Sequence, residues 1–213
     1  MFELVDLIQF MINRQDRILT MLRQHCDMVF VSIAISIVLG LIIGYLITYN
    51  KTIAEIVLYI SSIFLTIPSL ALFSFLVPVL GLNRTPVIVG LVIYTLLPIV
   101  RNTYVGLTNI SPALIDSARG MGMKDIKISL KVRFPLALPV IFAGIRTSTV
   151  MGIGIGAIAA YVGEGGLGVY IFQGINRSNM NMILSAALLI SLITILVDKL
   201  LQFFQRLCEK YIS

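Results

Sequence analysis

From about residue 28 to residue 205 the chain alternates long apolar runs with short polar breaks. Several runs reach twenty residues or more, the length an α-helix needs to cross roughly 30 Å of hydrocarbon at about 1.5 Å per residue. The pattern predicts spans at about 28–49, 54–80, 86–108, 135–161 and 182–204. The expected fold is therefore all-α, a polytopic transmembrane bundle of about five spans. The second span carries Pro68 and Pro78 and the third carries Pro98. Lipid offers no partner for the backbone groups a proline frees, so such helices belong inside a bundle where neighbours can satisfy them. Gly144, Gly152, Gly154 and Gly156 in the fourth span allow close helix–helix approach.

Residues 1–27 follow a different pattern. Val5, Ile8, Met11, Ile12, Ile18, Met21 and Leu22 recur at helical spacing among Asp6, Arg14, Asp16, Arg17 and Arg23. This spacing predicts an amphipathic helix lying on the membrane surface or against a partner. Glu3 and Asp6 stand where a secretory signal would be basic, so the segment does not read as one. The expected organisation is an N-terminal helix over 1–27, a transmembrane domain over 28–205 and a tail over 206–213.

Composition agrees with the pattern. Hydrophobic residues make up 58% of the chain, charged residues 12%, and the mean hydropathy is +1.00. A soluble domain of this size needs more charge to cover its surface. The net charge of +6 matters mainly through its distribution, and nucleic acid is not among the expected partners. Lys51, Arg119, Lys124, Lys127, Lys131, Arg133, Lys199, Arg206 and Lys210 fall on one side of the five spans. Arg14, Arg17, Arg23, Arg84 and Arg177 fall on the other. Basic loops stay in the cytoplasm, which places the long 109–134 loop and the C-terminus inside and the N-terminus outside. Cys26 and Cys208 lie on opposite sides and read as isolated thiols. His25 reads as an ordinary polar residue near a helix start, and no metal site is expected.

The long loop carries the most information. Ser111-Pro112 is a helix start, with a capping hydroxyl and proline at the first helical position. Gly120 and Gly122 stop or turn that helix. A second, basic helix is expected over about 124–132, ending near Phe134-Pro135. Two short helices with a glycine elbow make a rigid, charged protrusion suited to docking.

This loop resembles the coupling motif of ABC importer permeases, which reads Glu-Ala-Ala, three residues, Gly, nine residues, then Ile, any residue, Leu, Pro. Here Asp116, Ser117 and Ala118 take the first three places, Gly122 the glycine, Val132 the isoleucine, Phe134 the leucine and Pro135 the proline. Four longer stretches carry the likeness further: Thr66 to Ala71, Leu97 to Tyr104, Pro135 to Val140 with Ala143 to Arg146, and Gly165 to Gly168. These look like permeases of glycine betaine, carnitine and choline importers, and the likeness covers nearly all of residues 28–205. It implies a type I, MetI-like permease in a bacterial inner membrane, translocating a small compatible solute. It further implies a cytoplasmic ATPase dimer, a second permease copy or paralogue, and an extracellular or periplasmic binding protein. ATP and Mg would be used by the ATPase, since this sequence has no phosphate-binding Gly-x-x-x-x-Gly-Lys-Ser/Thr loop. The resemblance assigns coupling to Asp116, Ser117, Ala118, Gly120, Gly122 and Pro135.

The route through the membrane is less legible. Arg146 lies deep in the fourth span, where a charge must face protein or water. It either lines the route, with Tyr94 and Pro68 as further candidates, or serves a structural hydrogen-bond network. Arg101 is left inside or at the edge of a span. Tyr94, Tyr104 and Tyr161 could offer aromatic faces to a quaternary ammonium, and interfacial anchoring explains Tyr104 and Tyr161 equally. Gly163 and Glu164 belong to a glycine-rich outer loop. Gly152 to Gly156 reads as helix packing rather than a nucleotide loop. Alternatives are an importer for another small solute such as an amino acid, or a self-contained secondary transporter. The transporter alternative lacks inverted repeats, and Asp198 and Glu55 sit near span ends. An intramembrane enzyme would need a nucleophile–base pair or clustered metal ligands inside the spans.

Overall fold

The computed structural model describes residues 4–162 and 165–212, and every described element is helical. Among these residues four unbroken helices are long and apolar enough to span a membrane: Gln15–Tyr49, Arg84–Thr108, Asp125–Val162 and Met180–Lys210. The pair α3 (Lys51–Thr66) and α4 (Ser69–Leu80), bent at 98°, is long and apolar enough only when taken together, as a broken span or a re-entrant loop, which gives four to five spans in all. The expected bundle of about five spans is the fold observed.

The bend is written in Ile67-Pro68. Proline pushes the preceding residue out of the α region, and Ile67 is extended, at φ −70° and ψ 128°. The Ile67 carbonyl would then be an unpaired acceptor inside the membrane. Buried Tyr94 answers it, its hydroxyl donating to that oxygen at 2.6 Å. Pro78 lies inside α4 without a comparable break.

Helix α5 (Arg84–Thr108) is the axis of the bundle. Its Val87, Leu91, Ile99 and Val100 are fully buried, and α2 (Gln15–Leu46), α3, α4 and α8 (Phe134–Ala159) pack round it. Three buried hydroxyls tie α2, α5 and α8 together. Ser36 Oγ lies 2.7 Å from Thr95 Oγ1, and Ser148 Oγ donates to the Thr95 carbonyl at 2.5 Å. Small residues bring the backbones this close. A Cβ on Gly144 would stand 2.7 Å from the Pro98 carbonyl oxygen.

Helix ends differ from the expectation in three places. Residues 1–27 are not one helix. Helix α1 (Leu4–Asn13) stops at Arg14, and Gln15 onward runs without a break into the first span. No Gly or Pro stands between Gln15 and Gly40, so nothing ends the helix at the polar–apolar boundary. The tail continues α10 (Met180–Ile212) for the same reason. The loop between the fourth and fifth spans contains a further short helix, α9 (Gly168–Asn176). Gly163 and Glu164, expected in that loop, lie outside the described residues.

His25 is also corrected. It is 1% exposed, and its Nε2 donates to the Ile153 carbonyl of α8 at 3.1 Å. A residue expected at a polar helix start is a buried inter-helix tie, because α2 begins at Gln15, well before the apolar run.

Candidate functional site

The loop after α5 builds a compact hairpin. Helix α6 (Pro112–Gly120) begins with Ser111 at the N-cap and Pro112 at the first helical position. The expected capping hydroxyl bond is not made. Its start therefore rests on the proline, whose fixed φ suits the first turn.

Its end is fully bonded. The Gly122 N–H donates to the Arg119 carbonyl at 2.9 Å, and the Met123 N–H donates to the Ala118 carbonyl at 3.2 Å. These are the two bonds of a Schellman motif, which requires a left-handed residue after the helix. Gly122 supplies it, with φ +80°. A Cβ there would meet nothing within 4 Å, so the demand is conformational rather than steric. Gly120 is the last residue of the helix, has open space around it and carries no such demand.

Arg119 closes the hairpin from outside. Its guanidinium donates to Asp125 at 3.1 Å across the turn and lies 3.8 Å from Asp116 on its own helix. Ser117 donates to the Ala113 carbonyl at 2.8 Å. Asp116 and Ser117 are exposed, while Ala118 is buried at the foot of the hairpin. The protrusion also exposes Leu114 and Met121, and Ile126 and Leu130 just beyond the turn. An exposed apolar set rimmed by charges, held on a rigid frame, is the usual makeup of a protein-docking surface.

The second basic helix does not end near Pro135, as the sequence pattern suggested. Helix α7 (Asp125–Ile128) passes through a π-helical segment (Ser129–Arg133) directly into α8. Pro135 has no N–H for the carbonyl four residues back. The wider π turn just before it absorbs that defect without breaking the helix. The hairpin is thus joined rigidly to a membrane span, and displacement of α6 reaches the bundle through a continuous rod.

The membrane candidates are separated from one another. Arg146, at mid-length in α8, is half-buried and doubly bonded to Asp198 of α10. Its Nε donates to one carboxylate oxygen, and its Nη2 donates to the other at 2.9 Å. Tyr94 is 3% exposed and committed to the Ile67 carbonyl. Pro68 is exposed at the bend. Asp198 had been placed near a span end. Its signal was only its rarity, an acidic residue in an otherwise apolar run, with nothing to name a partner 52 positions away. No grouping of His, Cys, Asp and Glu fit to hold a metal occurs among the described residues.

Comparison with known proteins places this arrangement. The model of the family described as binding-protein-dependent transport system inner membrane component matches residues 36–213. The chain is 39% identical over 206 residues to the osmoprotectant import permease protein OsmW of Salmonella typhimurium, covering 94% of this chain and 96% of that one. It is 35% identical over 200 residues to the choline transport system permease protein OpuBB of Bacillus subtilis, covering 94% and 92%. Its fold matches a solved chain of the inward-facing MetNI methionine ABC transporter with TM-score 0.82 at 24% identity, covering 92% and 98%. With a multi-span bundle and a rigid, exposed hairpin, the chain belongs to the inner membrane components of binding-protein-dependent transport systems, as a non-catalytic ABC permease that works with an ATPase and a binding protein.

Proposed function

We propose that this permease imports small osmoprotectants of the glycine betaine, carnitine and choline class, driven through its α6 hairpin by an ATPase dimer. The observation that carries the coupling half is the hairpin itself: an exposed apolar and charged tip, closed by Gly122 and continuous with α8. The likeness of most of the chain to osmoprotectant and choline permeases supports the solute class.

In this reading Asp116 and Ser117 face the ATPase, and Ala118 seats the hairpin on the bundle. Gly122 sets the elbow, while Pro135 stands where the hairpin becomes a span. Gly120 lies within the motif without a conformational demand of its own. The ATPase uses Mg and ATP; this chain holds neither. A second permease, identical or paralogous, completes the route, and an extracellular or periplasmic binding protein delivers the solute. The basic α6 end and the C-terminus lie in the cytoplasm and the N-terminus outside. An ATPase that binds one permease conformation better than the other shifts the population between them, which is all that coupling requires.

The test is Gly122→Asp in the detergent-solubilised transporter. The expected result is a folded chain that no longer retains the ATPase and no longer supports uptake. Retention and uptake equal to wild type would sink the coupling assignment.

A further inference from the structure

Helix α3 has three faces rather than two. Ala54, Val57 and Leu58 pack against Val100 and Tyr104 of α5. Ile53, Ile56, Ile60, Ile63 and Phe64 form an exposed apolar face suited to lipid. Thr52, Glu55, Tyr59, Ser62 and Thr66 form a third face, spaced alternately three and four residues apart. At about 100° per residue these five fall within one stripe, roughly a third of a turn from each of the other faces. All are exposed except Ser62, which is half-buried.

Ser62 and Thr66 donate to carbonyls of their own helix, at Leu58 and Ile63, but a carboxylate on this stripe, Glu55, does not face hydrocarbon, where a charge is costly. The stripe therefore faces water or protein. Arg101 of α5 joins it, and its Nη2 donates to Ser62 Oγ at 3.3 Å. The guanidinium does not run back to the near mouth of the bundle. Ser62 is eleven residues into α3 from the Lys51 end, so the side chain reaches inward. Among the described residues no carboxylate pairs with Arg101, whereas Arg146 is neutralised by Asp198.

We propose that Arg101 receives the carboxylate of the transported solute, on a stripe of α3 that lines the aqueous route. The assignment rests on the osmoprotectant reading above. A guanidinium holding only one long bond to a hydroxyl keeps donors free for a carboxylate, and the charge-assisted bonds it forms are the strong ones. Tyr59, one turn from Ser62 and 70% exposed, presents a ring face to the quaternary ammonium at the other end of such a zwitterion. Choline has that cation but no carboxylate, so the two groups are separable by substrate.

The experiment is uptake of glycine betaine and of choline into proteoliposomes holding the permease with its ATPase and binding protein, using wild type, Arg101→Gln, Arg101→Lys and Tyr59→Ala. Retained ATPase turnover certifies assembly of each variant. Arg101→Gln is expected to lower betaine uptake about tenfold or more, the size of a lost charge-assisted hydrogen bond, and choline uptake less than about twofold; Arg101→Lys restores part of the betaine loss. Tyr59→Ala lowers both solutes. Equal loss of both in Arg101→Gln, loss of assembly in both Arg101 variants, or no loss of betaine overturns the assignment and leaves the import reading standing. If wild type carries betaine alone, rescue by Arg101→Lys decides in favour and its failure against. Wild-type uptake of choline alone overturns the carboxylate site. Uptake of neither overturns the osmoprotectant reading and the site together.

Discussion

Arg101 and Arg146 both lie well inside membrane helices of this permease, and their surroundings are opposite. Arg146 lies in the seam between α8 and α10 with both carboxylate oxygens of Asp198 engaged. Arg101 lies on the α3–α5 face with a single 3.3 Å contact to a serine hydroxyl. The first arrangement spends its donors within the chain and locks two spans together. The second keeps its donors available and leaves the surrounding stripe uncovered. Depth in a span alone therefore does not mark an arginine as functional; what distinguishes the two is whether the protein has already neutralised the charge.

The largest effect that tests this contrast is on the seam. Asp198→Leu strands the Arg146 charge in a half-buried setting, and loss of about 3 kcal/mol of stability is expected. Thermal survival of the detergent-solubilised protein checks it, and adding Arg146→Leu in the same chain should recover most of the loss. Failure of the double variant to recover would show that the pair does more than cancel charge.

Tyr94→Phe removes the donor to the Ile67 carbonyl while keeping the buried ring. A smaller loss, about 1–2 kcal/mol, is expected in the same assay, because one buried acceptor is left unpaired. An unchanged protein would mean that the 98° bend holds without this bond. Smallest is the effect of Arg101→Leu on stability, expected below about 0.5 kcal/mol, since the residue is exposed and its one bond is long. A destabilisation as large as that of Asp198→Leu would erase the contrast between the two sites.

Much of this was legible in sequence because it is local. Apolar run length reports a span directly, since each helix satisfies its own backbone. Gly122 was readable as an elbow because a glycine after a capped helix has few other uses, and its φ of +80° follows from that local need. Pro68 announced a break but not its angle, which depends on α4 packing against α5 and on Tyr94 reaching the freed carbonyl. The extended helices α2 and α10 were under-read because hydropathy locates the edge of the lipid rather than the end of a helix. The polar stripe of α3 went unread in the sequence, because only the packing of Ala54, Val57 and Leu58 shows which side of that helix it lies on.

The sequence by itself determined the class, the approximate spans, the charged hairpin with its glycine elbow and its likeness to importer permeases. These depend on residues within a few turns of one another. Only the tertiary structure decided that His25 is a buried tie to Ile153, that Ser36, Thr95 and Ser148 form one knot, and that Arg146 is paired while Arg101 is not. Those facts join positions dozens of residues apart, and no local pattern encodes which face of one helix meets which face of another. In a medium that cannot solvate a stray charge, that choice of faces decides whether an arginine is neutralised within the chain or keeps its donors free.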